Sequence, residues 1–211
     1  MYLHATLTSR PGRMTDLAAT VGRAAAGMEG HGMRLLGAYQ TVGGMPGRII
    51  DLWELDDANA IVDALEGASR HPKHQATMER LGESLQREEL RLVQRTDYCP
   101  PWQGPASPDA RYLHASLTPR YGQVERVSAI VAGLRQVLEA HLQWRLAGAY
   151  RTVIGDFGEI FDLWEIPADR TVDDMLIEAR AIPAFAEHTR DLPTYLEAEK
   201  LLTMRAAPYC P

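Results

Sequence analysis

Cysteine is almost missing from this chain of 211 residues: only Cys99 and Cys210 occur, each directly before a proline. With no CxxC and no Cys/His cluster at metal-ligand spacing, a zinc finger, a zinc ribbon and a thioredoxin-type redox motif are excluded. Thiols of a cytosolic protein stay reduced, so a structural role for both cysteines is expected rather than a disulfide. No apolar run approaches eighteen residues, which argues against a membrane-spanning helix. The N-terminal residues lack the basic start and apolar stretch of a signal peptide and the Arg/Ser-rich pattern of a transit peptide, so a cytoplasmic location is expected. Basic charge is also scarce. Lys and Arg number 22 against 28 Asp and Glu, for a net charge of −6 and a pI near 5.6. Neither nucleic acid nor an anionic membrane is therefore an expected partner. No glycine run is followed by Gly-Lys-Ser/Thr, and there is no nucleophile elbow and no kinase or dehydrogenase signature.

What the chain does contain, it contains twice. Tyr2-Leu3-His4-Ala5-Thr6-Leu7-Thr8 returns as Tyr112-Leu113-His114-Ala115-Ser116-Leu117-Thr118. Gly37-Ala38-Tyr39 returns as Gly148-Ala149-Tyr150, Asp51-Leu52-Trp53-Glu54 as Asp162-Leu163-Trp164-Glu165, and Tyr98-Cys99-Pro100 as Tyr209-Cys210-Pro211. The separation is 110 at Tyr2/Tyr112 and 111 at Gly37/Gly148, which places one inserted residue in the first long helix of the second copy. Two copies are too few for a solenoid and point instead to two similar domains packed as a pseudo-dimer. The expected boundaries are residues 1–100, a linker at 101–110 rich in Pro, Gly and Ser, and residues 111–211. With 45% hydrophobic and 24% charged residues, each copy can bury an ordinary soluble core.

Within a copy the pattern switches period in a fixed order. Residues 2–8 alternate as a strand, and Leu17, Val21, Ala24, Ala25 and Met28 form a helical stripe ended by Gly30 and Gly32. Residues 35–42 and 48–55 read as a hairpin around Gly43-Gly44-Met45-Pro46-Gly47. A short helix follows at 58–65, then a longer one from Pro72 to about Gln86, and a last strand at 89–94. The order β-α-β-β-α-β is ferredoxin-like, with helices on one sheet face and the other face bare. The expected fold is therefore α+β: two ferredoxin-like domains packed sheet to sheet as an intramolecular dimeric α/β barrel.

The motif Gly37-Ala38-Tyr39, the hairpin, Ile50-Asp51-Leu52-Trp53-Glu54 and the prolines opening the last helices, Pro72 and Pro183, together resemble the NIPSNAP family. The resemblance spans nearly all of both copies and implies a dimeric α/β barrel. One position departs from it: the family often carries histidine before the Leu-Trp pair, where this chain has Asp51 and Asp162, so chemistry assigned to that histidine does not transfer. Relatives in this barrel group are often tailoring enzymes of specialised metabolism, and some members of the family are non-catalytic.

Strand parity selects the candidate site. Leu3, Ala5 and Leu7 suit the helix side, leaving Tyr2, His4, Thr6 and Thr8 on the opposite face. A hairpin symmetric about Met45 sets Tyr39 opposite Asp51 and Gly37 opposite Trp53, with the glycine making room for the indole. His4, Asp51 and Tyr39 then point into one cavity, as do His114, Asp162 and Tyr150. A His–Asp pair is an acid/base unit near neutral pH, so His4, Asp51, His114 and Asp162 are the expected catalytic residues. Tyr2, Tyr39, Trp53, Tyr112, Tyr150, Arg151, Trp164 and Arg205 are the expected substrate contacts, the added charge favouring a carboxylate or phenolate in the second copy. The same set equally suits a buried structural network inherited twice, and the two indoles suit plain core packing.

His71 and His74 flank Pro72-Lys73 with nothing to complete a metal site, while His31 and His141 sit near helix ends where a cation complements the dipole. No metal and no cofactor are expected. The function expected is a cofactor-independent cyclase, isomerase or lyase acting on a small aromatic or cyclic molecule. The chain would work as a monomer (itself a pseudo-dimer) or as a homo-oligomer. Cofactor-free monooxygenation, haem binding through His4 or His114, and a non-catalytic scaffold are the alternatives.

Overall fold

The computed structural model describes residues 1–29, 31–70, 72–104 and 109–211; Gly30, His71 and linker positions 105–108 lie outside the described residues. The chain divides into two compact units, Met1–Val93 with Arg205–Pro211 (unit 1) and Gln94–Met204 (unit 2). Units and sequence repeats do not coincide, because the last residues of each repeat belong to the unit built on the other repeat.

Unit 1 runs β1 (Tyr2–Ser9), α1 (Met14–Met28), β2 (Met33–Gly43), β3 (Arg48–Leu55), α2 (Ala60–Ser69), α3 (His74–Ser84) and β4 (Leu85–Arg95, whose last two residues fall in unit 2). Its strands pair antiparallel in the order β4-β1-β3-β2. Unit 2 runs β5 (Arg111–Pro119), α4 (Val124–Leu142), β6 (Arg145–Ile154), β7 (Ile160–Ile166), α5 (Val172–Ala181), α6 (Pro183–Thr189), α7 (Leu192–Tyr195) and β8 (Leu196–Ala206), with the order β8-β5-β7-β6. Both are the ferredoxin-like arrangement expected from the sequence.

The apolar row of β1 faces the helices: Leu7 packs with Leu17, Ala18 and Val21 of α1, and Leu3 with Ala25. In unit 2, Leu117 meets Val127 and Val131, and Leu113 meets Leu138 and Leu142. Spacings of three to four along α4 give the one-sided stripe that fixes a helix on a sheet. Burying each such side chain contributes about 1.5–3 kcal/mol. The strand β4 starts four residues earlier than expected, at Leu85, because α3 passes into it without a turn residue. The Ser84 hydroxyl donates back to the Arg80 carbonyl at 2.9 Å and closes the helix. Pro183 occupies the first turn of α6, where its missing N–H costs nothing. No helix among the described residues is long and apolar enough to cross a membrane.

Candidate active site

The expected shared cavity of His4, Asp51 and Tyr39 does not form. In the observed register Tyr39 pairs with Ile50, Ala38 with Asp51 and Gly37 with Leu52. The turn thus closes one residue away from the symmetric arrangement, and a one-residue slip moves every side chain to the other face. The Thr41 hydroxyl helps fix this closure, donating to the Met45 carbonyl at 2.8 Å and accepting from the Arg48 N–H at 3.1 Å. A bulge at Leu36, between Leu35 and Gly37, shifts the register by one further residue and sets Leu35 opposite Trp53. On β1, Ala5 pairs with Asp51 and His4 with Leu52, so Asp51 lies on the helix side while His4 lies on the opposite face. The second repeat is the same: Ala115 pairs with Asp162, His114 with Leu163 and Tyr150 with Phe161.

Gly37 does make room for an aromatic ring, but for that of Tyr39. A methyl at Gly37 would collide with the Tyr39 hydroxyl oxygen, and one at Gly148 would sit 2.6 Å from Cε2 of Tyr150. Trp53 and Trp164 are packed in the helix-side cores. His114 stacks on Phe161 with centroids 5.3 Å apart, and Tyr150 stacks on the same ring at 5.4 Å.

The aspartates meet a partner that the sequence reading left out. In unit 1 the Tyr209 hydroxyl donates to Oδ1 of Asp51 at 2.8 Å. In unit 2 the Tyr98 hydroxyl donates to Oδ1 of Asp162 at 3.0 Å. The tails carrying these tyrosines are tied to the sheets by backbone bonds, Ala207 N–H to Ala38 carbonyl at 2.8 Å and Thr96 N–H to Ala149 carbonyl at 3.1 Å. Sulfur adds a further tie, since the N–H of Ala38 donates to Sγ of Cys210 at 3.3 Å and that of Ala149 to Sγ of Cys99 at 3.2 Å. The repeated Tyr-Cys-Pro ends were the signal for this constellation. Nothing in the local pattern said that each tail folds back onto a strand carrying Asp.

Both carboxyls are buried, with 1–2% of their surface exposed. Burial pushes Asp51 and Asp162 up to about 7, and the donated tyrosine hydroxyl offsets only part of that rise. Burial, then the neighbouring carboxylate, raises both phenols above their ordinary range, so they stay protonated as donors. A proton-sharing pair that titrates near neutral pH is suited to acid/base work.

The pairs differ in their access. In unit 1 a methyl at Gly22 of α1 would lie 2.9 Å from Cβ of Tyr209, so the tail presses directly on the helix. In unit 2 the equivalent position is Ala132, and a cleft of about 490 Å³ lies between the tail and α4. Residues 94–98 line one side, Glu125, Ser128, Ala129 and Ala132 the other, and Arg151 is also in the lining. Arg151 pairs with Glu125 at 2.6 Å, and Arg95 donates to the Cys99 carbonyl at 2.9 Å.

Of the expected site residues, Arg151 thus lines this cleft and Asp162 lies one hydrogen bond behind it. The arrangement does not collect the others there. Tyr39, Tyr112, Tyr150, His4 and His114 are buried in the sheets, Tyr2 is half-buried beside Glu54, and Arg205 is exposed in unit 1. Haem needs an axial ligand beside a large cavity, and neither His4 nor His114 lines the cleft between the tail and α4, so that cleft does not fit it. Among the described residues, no group of three or more His, Cys, Asp or Glu side chains is placed to hold a metal ion.

Residues 2–100 match the NIPSNAP family. The first repeat is a NIPSNAP domain. No curated protein matches the chain in sequence. Among solved structures, a monooxygenase candidate from Lactobacillus acidophilus NCFM is similar over 98% of this chain and 93% of its own, with a TM-score of 0.62 at 10% identity. A monooxygenase candidate from Fusobacterium nucleatum covers 98% and 91% with a TM-score of 0.66 at 9% identity. An anthrone oxidase-like protein covers 98% and 93% with a TM-score of 0.59 at 12% identity. At these identities the likeness is one of fold. Beyond the NIPSNAP domain, the second repeat carries the same fold by internal duplication.

Proposed function

We propose that the protein is an enzyme that moves a proton on a small organic molecule bound in the unit 2 cleft, with Tyr98 and Asp162 as the acid/base pair. One observation carries this reading. A buried carboxyl raised to about 7 accepts a hydrogen bond from Tyr98, and Tyr98 is one of the residues lining a cleft of about 490 Å³. That volume suits a small ring system. The acid/base role thereby moves from the expected His–Asp pairs to a Tyr–Asp pair.

At neutral pH a substantial share of Asp162 is ionised. The proton of an acidic C–H or O–H passes to the phenolic oxygen of Tyr98 as the phenol's own proton passes to Oδ1 of Asp162. The substrate is left as an enolate, carbanion or phenolate, and reversing the two transfers delivers a proton to a new position. Isomerisation, cyclisation and elimination all begin in this way. Arg95 and Arg151, the latter paired with Glu125, are the donors that would meet a carboxylate or phenolate substrate in a lining that also carries Asp97. A second reading uses the same first step: a carbanion of an electron-rich aromatic reacts with molecular oxygen. The anthrone oxidase-like and monooxygenase-candidate relatives in fold favour including it.

The test is deuterium exchange from D₂O into a panel of small carbon acids that includes anthrone, followed by NMR with oxygen uptake monitored in parallel. Wild-type protein is expected to accelerate exchange or oxygen uptake on at least one of them. Tyr98→Phe and Asp162→Asn are expected to lose about 10²–10⁴-fold of that rate while staying folded. Full activity in Asp162→Asn, or no exchange and no uptake across the panel, would overturn the assignment.

A further inference from the structure

A second cleft, in unit 1, is independent of the acid/base reading. It measures about 570 Å³ and lies among the end of α1, the end of α2 and the start of α3. Met28, Leu65 and Met78 give it apolar walls, and Leu65 and Met78 keep 53% and 43% of their surface exposed, which is high for such side chains. Around those walls stand the cations Arg23 and Lys73 and the imidazoles of His31 and His74, with Glu29 the one carboxylate among the described lining residues. The His31 ring lies so close to α2 that a methyl at Gly67 would be 2.5 Å from its Cε1.

The duplication provides the control. With Pro72 matching Pro183, His74 corresponds to Phe185, Lys73 to Ala184 and Thr77 to His188; Arg23 corresponds to Gly133. In unit 2, Phe185 packs onto the core of Leu138, Trp144 and Met175. His188 presses onto α4, where a methyl at Gly133 would be 2.6 Å from its Cε1. The same corner is plugged by side chains in unit 2. In unit 1 it is an open, cation-rimmed space.

We propose that this unit 1 cleft binds a small amphipathic carboxylate, its apolar body against Met28, Leu65 and Met78 and its carboxylate toward Arg23, Lys73 and the two imidazoles. Apolar walls alone would accept any oily molecule, and Arg23 and Lys73 against Glu29, with two imidazoles as further hydrogen-bonding groups, select an anionic head.

Isothermal titration with sodium decanoate tests this, with decanol as the uncharged probe of equal length. One decanoate per chain is expected at sub-millimolar Kd, with decanol at least about tenfold weaker. Lys73→Glu is expected to weaken decanoate about tenfold. His74→Phe, which copies the plug of unit 2, is expected to abolish binding, and Leu65→Asp to do the same by a change at an exposed position. Arg151→Gln, in the other cleft, is expected to leave decanoate binding unchanged. The proposal is overturned if no saturable binding occurs, if decanol binds as tightly, or if Lys73→Glu and His74→Phe bind decanoate as wild type does. Loss of binding in Arg151→Gln alone would equally overturn it, by placing decanoate in unit 2.

Discussion

In unit 1 the tail tyrosine bears on Gly22 so closely that the helix has no room for a methyl group, whereas in unit 2 Ala132 stands at that position and a polar cleft opens beside the tail. At the other end of the helix layer the contrast is reversed. Phe185 and His188 fill the corner of unit 2 that unit 1 leaves as an apolar, cation-rimmed cleft. The Tyr–Asp pair is common to both units, so the pair answers a need that both share: a buried carboxyl requires a hydrogen-bond donor, and the tail supplies it. The residues lining the two clefts differ between the units, at Gly22/Ala132, Gln40/Arg151 and His74/Phe185, and it is there that the two halves have diverged.

The largest expected effect separates the two aspartates by activity. Asp162→Asn keeps the shape and the tyrosine contact but removes the titrating group, and a rate loss of about 10²–10⁴-fold is expected. Asp51→Asn, behind the closed tail of unit 1, is expected to change the rate less than about threefold, since it lies outside the cleft used for catalysis. Equal losses in the two variants would mean that the cleft is not what distinguishes the units.

Stability against pH should instead treat the two aspartates alike. Both folded-state values lie near 7, above the ordinary carboxylate value of 3.8. Between these values the folded state holds more protons than the unfolded chain, so the contribution is full below about pH 4 and is lost as pH rises through 7. Roughly 2–4 kcal/mol per carboxyl is at stake. Asp51→Asn and Asp162→Asn are each expected to match wild type near pH 4 and to exceed it at pH 8 in urea unfolding. If either variant is less stable than wild type at pH 8, burial does not strain its carboxylate in the folded state.

A smaller effect probes the tail contact itself. Gly22→Ala forces Cβ against Tyr209 and is expected to cost about 1–3 kcal/mol despite the better helix propensity of alanine. Ala132→Gly should cost only about 1 kcal/mol, the propensity difference alone. Thermal melts of the two variants read the contrast directly, and a neutral Gly22→Ala would mean that the tail of unit 1 yields easily.

How much of this was legible in the residues follows from which features are local. The duplication, the element order and the helix-side row of β1 depend on spacing along the chain, and they could be read. The faces of β2 and β3 depend on where one hairpin closes and on one bulge at Leu36, and a single-residue difference moved Asp51 and Tyr39 to opposite sides. Asp51 and Asp162 stood out as residues that burial would strain, which is a matter of chemistry. Their partners, 158 and 64 residues away in the chain, were visible only as an unexplained repeat of Tyr-Cys-Pro. A strand pattern carries no information about which tail will cover it.

The smallest effect on stability has the most specific consequence for binding. Arg151 occupies the position of Gln40, and its ion pair with Glu125 involves a carboxylate 82% exposed. Exposed pairs contribute about 0–1 kcal/mol, so Arg151→Gln, which makes unit 2 resemble unit 1 at this point, should leave the melting temperature nearly unchanged. The guanidinium lines the unit 2 cleft, however, and a carboxylate or phenolate ligand there would lose a charge-assisted hydrogen bond, about a tenfold weakening of Kd. An uncharged analogue of the same ligand should bind both proteins alike, because it never used the charge. If Arg151→Gln weakens charged and uncharged ligands equally, the arginine shapes the cleft without reading the ligand's charge. The difference between Gln40 and Arg151 would then be steric, and the preference for an anionic substrate in unit 2 would have to come from Arg95 alone.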